Sequence, residues 1–286
     1  CLLSGWGHDE NNMAPYLLTK EDDGYRWTKP QVSGAEPEGR AFHSATEICR
    51  GRLCIVGGLG SGCCRTDVAL LDLNTMCWSV PRVGGQPCCL GDRAGHGAAF
   101  FPARGAAARA AGDGSLILVS GAMRSALGDS HQASIDVLEI GRNDVEHAGS
   151  TAGTLAAAED SAPTDDEAGE AAADVSGKGE EAPLPDDSPT ADAPTFRWSE
   201  DDAWRSAQLP GVRTASYASF ARSLVAWSGI REGHAPAEDM HVIDVQRKRV
   251  REATALLSGV EDDLQSPEPR GGALLLPVPD APHLAL

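Results

Sequence analysis

Gly34-x-x-Pro37-x-x-Arg40-x-x-His43-Ser44 leads into Arg52-Leu53-Cys54-Ile55-Val56-Gly57-Gly58, then Asp67-Val68-Ala69-Leu70-Leu71-Asp72-Leu73-Asn74-Thr75 and Trp78. The middle of this stretch, a short apolar run closing on a small residue and a Gly, occurs four times. Its copies are Leu2-Leu3-Ser4-Gly5, Ile55-Val56-Gly57-Gly58, Leu118-Val119-Ser120-Gly121 and Ala226-Trp227-Ser228-Gly229. The first step, from Gly5 to Gly58, is 53 residues. The last, from Gly121 to Gly229, is 108 but contains an acidic segment of 52 residues (144–195). The middle step of 63 carries a small Ala/Gly/Arg-rich insertion near 102–114. A period a little over 50 residues is the mark of a repeat architecture, in which each unit buries its apolar faces only against its neighbours.

Runs such as Val68 to Leu73 are apolar at nearly every position, which predicts strands covered on both faces. The Gly pair predicts a close backbone turn at the end of the second strand of each unit, and Asn74-Thr75 a turn between the third and fourth. The next copy has Arg93, His96, Gly121, Ile135-Asp136-Val137-Leu138-Glu139-Ile140 and then Trp198 or Trp204. The third has Arg213, Gly229 and Met240-His241-Val242-Ile243-Asp244-Val245, with Ser216 where His is expected and Val250 where Trp is expected.

Arg and His early, a diglycine, an apolar strand closing on Asp, then Trp: these resemble the kelch motif. The resemblance covers nearly the whole chain outside the acidic segment. It implies an all-β propeller with four-stranded antiparallel blades, and structural motif residues Gly57, Gly58, Asp72, Trp78, Gly121, Gly229 and Asp244. The chain supplies about three full blades and two partial ones, a leading half (Cys1 to Trp27) and a trailing start (Pro269-Arg270-Gly271-Gly272). Kelch propellers generally close with six or seven blades, so the expectation is part of a longer propeller, with a self-closed four-bladed ring as the other arrangement. The motif is more similar to the kelch group that includes the Rab9 effector and host cell factor than to the BTB-linked ubiquitin adaptors. The expected organisation is blades over 1–143, a disordered acidic insert in a c–d loop over 144–195, and the remaining blades over 196–286.

The net charge of −18 misleads, because 144–195 holds fourteen acids and one base, leaving about −5 for the rest. Poor in large apolar side chains, that segment cannot offset its ordering entropy, so disorder is expected. Thr164, followed by three acids, and Ser188, followed by Pro, are candidate phosphorylation sites or parts of a solvated loop. All eight cysteines lie in the first third without C-x-x-C spacing, which points to structural thiols in a reducing, cytoplasmic setting and to no metal. No apolar stretch of about 18 residues predicts a membrane span. No basic stripe with stacking aromatics predicts nucleic-acid binding.

In a four-stranded blade the d–a and b–c connections share one face. Arg40, Arg93, Arg213 and Arg270 fall in d–a segments, and Arg65, Arg124 and Arg231 in b–c loops. Together they would ring the propeller mouth with guanidinium groups suited to carboxylates or phosphate. The expected function is a protein-interaction scaffold taking an acidic or phosphorylated peptide there, with no cofactor and no catalytic residue. Two plainer readings stay open: Arg40, Arg93, His43 and His96 hydrogen-bonding inside the blade, and the loop arginines merely solvated. The alternative function is a small-ligand or enzymatic propeller resembling mutarotases, thioglucoside specifiers or copper radical oxidases. With only Tyr16, Tyr25 and Tyr217, the oxidase set is not assembled here.

Overall fold

The computed structural model describes residues 13–49, 51–87, 93–105, 113–125, 128–131, 134–142, 194–207, 209, 212–220, 222–231, 234–253, 275–277 and 284–285. They form an all-β arrangement dominated by three four-stranded antiparallel units, each joined in the order a-b-c-d. The first sheet is Ser44–Cys49, Arg52–Gly60, Cys63–Asp72 and Cys77–Ser79. The second is Gly97–Pro102, Gly114–Val119, Ile135–Arg142 and Pro194–Trp198. The third is Ser216–Phe220, Ser223–Trp227, Met240–Asp244 and Arg249–Glu252. Short segments add a parallel fifth strand to two of them: Ser33–Gly34 beside strand d of the first, Val83–Gly84 beside strand d of the second.

The doubly apolar strands find partners on both faces. Along strand b of the second sheet, Leu116 and Leu118 pack with Val56, Val68 and Leu70 of the first sheet. Ile117 and Val119, on its other face, pack with Leu224 and Ile243 of the third. Burying one such side chain contributes about 1.5–3 kcal/mol, so sheet stacking is where this chain gains its stability.

The tryptophans follow the same logic. Trp78, Trp198 and Val250 pair with Leu71, Leu138 and Ile243, so they occupy one repeat position. Trp198 faces the first sheet and is 6% exposed. Val250 is too small to fill the corresponding gap between the second and third sheets. There Trp204 and Leu209, from the connection preceding the third sheet, join the cluster. Trp204 lies on a one-turn helix, Asp202–Arg205, whose N-cap Asp201 accepts from the Ala203 N–H at 2.9 Å and forms an ion pair with Lys248. Of the two sequence candidates, Trp198 therefore holds the repeat position and Trp204 is the addition.

The c–d turns are held by the aspartates that close the c strands. Asp72 Oδ1 accepts from the Asn74 and Thr75 N–H groups at 2.9 and 3.2 Å. Asp244 Oδ1 accepts from Gln246 and Arg247 at 3.1 and 3.0 Å. The Arg247 N–H, first among the causes, holds the Asp244 carboxyl below its ordinary range. In the second sheet, Arg142 pairs with Pro194, so strands c and d meet across residues 143–193. The expected disorder of the acidic insert, and Thr164 and Ser188 within it, lie outside the described residues.

Candidate functional site

The d–a segments and b–c connections meet at one end of the sheets through a row of backbone hydrogen bonds. Gly95 donates to the Phe42 carbonyl at 2.8 Å and Thr214 donates to the Gly95 carbonyl at 3.0 Å. All three have positive φ, at 57°, 64° and 52°. A second row runs alongside, with Gly58 N–H donating to Arg93 O at 2.8 Å and Gly121 N–H to Val212 O at 3.1 Å. The second Gly of each pair is needed because a side chain would strike this row. A Cβ on Gly58 would sit 2.9 Å from the His43 Cβ, and one on Gly121 would sit 3.0 Å from the His96 Cβ. The first Gly is dispensable: Ser120 and Ser228 take its place with φ of 55° and 58°.

These rows correct the register of the third repeat. Phe42, Gly95 and Thr214 are equivalent, so Val212 stands where Arg40 and Arg93 stand, and Arg213 stands at Ala41 and Ala94. The strand pairing agrees, since Ala41 bridges Leu59 as Arg213 pairs with Ile230, each one residue past its Gly. A Cβ on Gly229 would meet Ala215, so the missing His is Ala215, and Ser216 matches Ser44. The sequence spacing Arg213-x-x-Ser216 hid the shift because it mimics Arg-x-x-His.

Arg40 and Arg93, expected at the mouth, point into the fold. Arg40 is 1% exposed and donates to both Asp67 carboxylate oxygens at 2.6 and 2.7 Å, to Gly57 O at 3.2 Å and to Glu38 O at 3.0 Å. Arg93 is 3% exposed and donates to Ser120 O at 3.4 Å and Ser134 Oγ at 3.2 Å. It also forms an ion pair with the buried Asp136. Each guanidinium clamps strand b to strand c within its own repeat. That position beside strand c was missed in the sequence, although Asp67 and Asp239 both directly precede an apolar c-strand run.

His96 is buried with them and His43 is half-buried. His96 Nε2 lies 2.9 Å from Ser44 Oγ of the preceding repeat. Desolvation, with Arg93 and His43 adding, pushes its pKa down to about 3. Desolvation foremost also lowers His43. Both imidazoles are therefore neutral at neutral pH.

The loop arginines differ from one another. Arg65 forms an ion pair with Glu38, which Ser61 Oγ also contacts. Arg231 forms one with Asp239. Arg213 is half-buried, and no ion pair is found for it among the described residues. Arg124 lies on the hairpin strand Ala122–Ser125, and Arg270 lies outside the described residues. At the opposite end, a groove of about 430 Å³ opens between the second and third sheets, lined by Phe101, Ile140 and Val245 with Arg104, Arg222 and Glu139.

Among the described residues no helix is long and apolar enough to cross a membrane. No protein-family model matches the chain. Over 84 residues, 28% of the chain, it is 33% identical to the Rab9 effector protein with kelch motifs of Bos taurus. Over the same length it is 31% identical to the Rab9 effector protein with kelch motifs of Mus musculus. The match spans about a quarter of these curated relatives, 23% and 22% of their lengths. The repeated motif, the stacked sheets and these similarities agree on a partial kelch-type relationship for this chain.

Proposed function

We propose that this chain is a portion of a kelch-type propeller that serves as a protein-interaction scaffold. The observation that carries the reading is the succession of three four-stranded sheets stacked face to face, with their d–a and b–c connections gathered at one end. Two of its relatives are named as effectors of Rab9, which gives a protein-binding role to those proteins. The partner-binding end is the one that carries Arg65, Arg213 and Arg231. Arg213 is its leading contact, because its guanidinium is not already committed to a carboxylate among the described residues. An acidic or phosphorylated peptide suits such a group, since planar guanidinium recognises carboxylate and phosphate with two parallel hydrogen bonds. A cytoplasmic setting belongs to the same reading, in keeping with the free thiols Cys49, Cys54, Cys63 and Cys77.

The test is fluorescence anisotropy with labelled peptides carrying runs of Asp and Glu or a phosphoserine. Binding that weakens with salt, and that Arg213→Glu weakens at least about tenfold, is expected. Equal affinity for an uncharged peptide, or for the wild type and Arg213→Glu, would sink the acidic-peptide reading.

A further inference from the structure

The buried guanidinium that clamps the first two repeats has no counterpart in the third, yet its acceptors remain. Strand pairing sets the equivalences: Val56 pairs with Val68, Val119 with Ile135 and Trp227 with Met240. Asp67, Ser134 and Asp239 therefore hold one position, and Asp136 and His241 hold the position two residues further on, on the same face of strand c. Gly57 and Ser120, whose carbonyls accept from Arg40 and Arg93, correspond to Ser228. With Val212 in place of the arginine, these groups border a small cavity of about 10 Å³, lined by Val212, Ser228, Asp239, His241 and Ser120. That volume is the smallest that holds one water, and Asp239, His241 and Ser228 at its edge are the polar residues such a water would bond. Asp239 meanwhile draws a guanidinium from the other side: Arg231, reaching back from the b–c loop.

We propose that Arg231 and one buried water together replace the missing guanidinium, so that Arg231 is a structural clamp of the third repeat and the cavity is a water site. The placement explains why Arg231 bends onto Asp239 although its side chain is 46% exposed, where an isolated ion pair contributes little. The carboxylate at this position is retained from the first repeat, and the cation now comes from a different segment. This inference is independent of the peptide-binding reading, which leads with Arg213.

The experiment is a double-mutant cycle read by thermal melting of the whole chain, with Val212→Arg, Arg231→Ala and both together. Arg231→Ala alone is expected to lower Tm by several degrees, and Val212→Arg to restore the buried clamp and shrink that loss to about a degree. An equal loss in both backgrounds would overturn the substitution. Should Val212→Arg not fold, Arg213→Ala is the reference. It removes the same charge from the adjacent strand and is expected to leave Tm unchanged, and a Tm loss equal to that of Arg231→Ala would show a general charge effect and overturn the clamp. A high-resolution crystal structure is expected to show one ordered water within hydrogen-bond distance of Asp239, Ser228 and His241. A dry cavity would overturn the water site.

Discussion

The second and third repeats share a strand order and a packing scheme but lock their b–c ends differently. In the second, Arg93 and Asp136 are both buried, at 3% and 2% exposure, so each charge depends on the other. In the third, Val212 removes the inner cation, and Arg231 pairs with Asp239 from the rim. The first repeat lies between, with a buried Arg40 and an Asp67 side chain that is 45% exposed. The ion pair that ties strand b to strand c thus ranges from fully desolvated to half-solvated, with the carboxylate at one position in the first and third repeats and two residues further on in the second. The lesson is that a repeat can keep its shape while moving a charge from interior to surface. A residue shared by all copies of a motif is not thereby a residue that meets the partner.

Substitutions of the three carboxylates would break or sharpen this gradient. Asp136→Ala leaves the Arg93 guanidinium buried without its carboxylate, and a loss of about 3–5 kcal/mol is expected in urea unfolding. Asp67→Ala should cost clearly less, because water reaches that side of the Arg40 pair, and Asp239→Ala least. An equal cost at all three positions would refute the role given to burial.

The tryptophans offer a second contrast. Trp198 is enclosed between the first and second sheets, whereas Trp27, on the hairpin of Leu17–Glu21 and Gly24–Thr28, is 55% exposed. Trp198→Ala is expected to cost about 3–5 kcal/mol by the loss of packing and the cavity left behind. Trp27→Ala is expected to fall within about 0.5 kcal/mol, as surface changes do. Denaturant unfolding monitored by far-UV dichroism separates the two.

A third effect is expected from pH. The folded pKa of His96 is about 3, below its unfolded value near 6.5, so the unfolded chain binds the extra proton between them. The contribution of His96 is therefore fully present above about pH 6.5 and is lost progressively as pH falls toward 3. A His96→Gln variant should show a shallower fall in Tm across that window. An unchanged slope would mean that other groups govern the acid limb.

Much of this was legible in the residues themselves. The recurrence of Gly58, Gly121 and Gly229 after apolar runs marks two strand ends and, at Gly58, a break in register inside Arg52–Gly60 where the expected strand end is instead bridged, because only Gly escapes the collision with His43, His96 or Ala215 at φ above 100°. The unbroken apolar character of Val68 to Leu71 or Leu116 to Val119 announces strands covered on both sides. Asp72 and Asp244 announce their turns, since a short carboxylate two residues before a free N–H has few other uses. These signals are local: a side chain acting on backbone within a few positions, or a periodicity within one strand.

What the sequence left open was carried by contacts between distant segments. Whether Arg40 and Arg93 point into the fold or out of it depends on Asp67 and Asp136, which lie 27 and 43 residues further on. The one-residue shift that puts Val212 at the clamp and Arg213 beside it follows from hydrogen bonds between neighbouring repeats. The choice of Trp198 over Trp204 rests on its pairing with Leu138 across residues 143–193. Local residue chemistry determined the strands and turns. Only the stacked sheets decided which charges are buried, because burial is a property of what the neighbouring repeat brings.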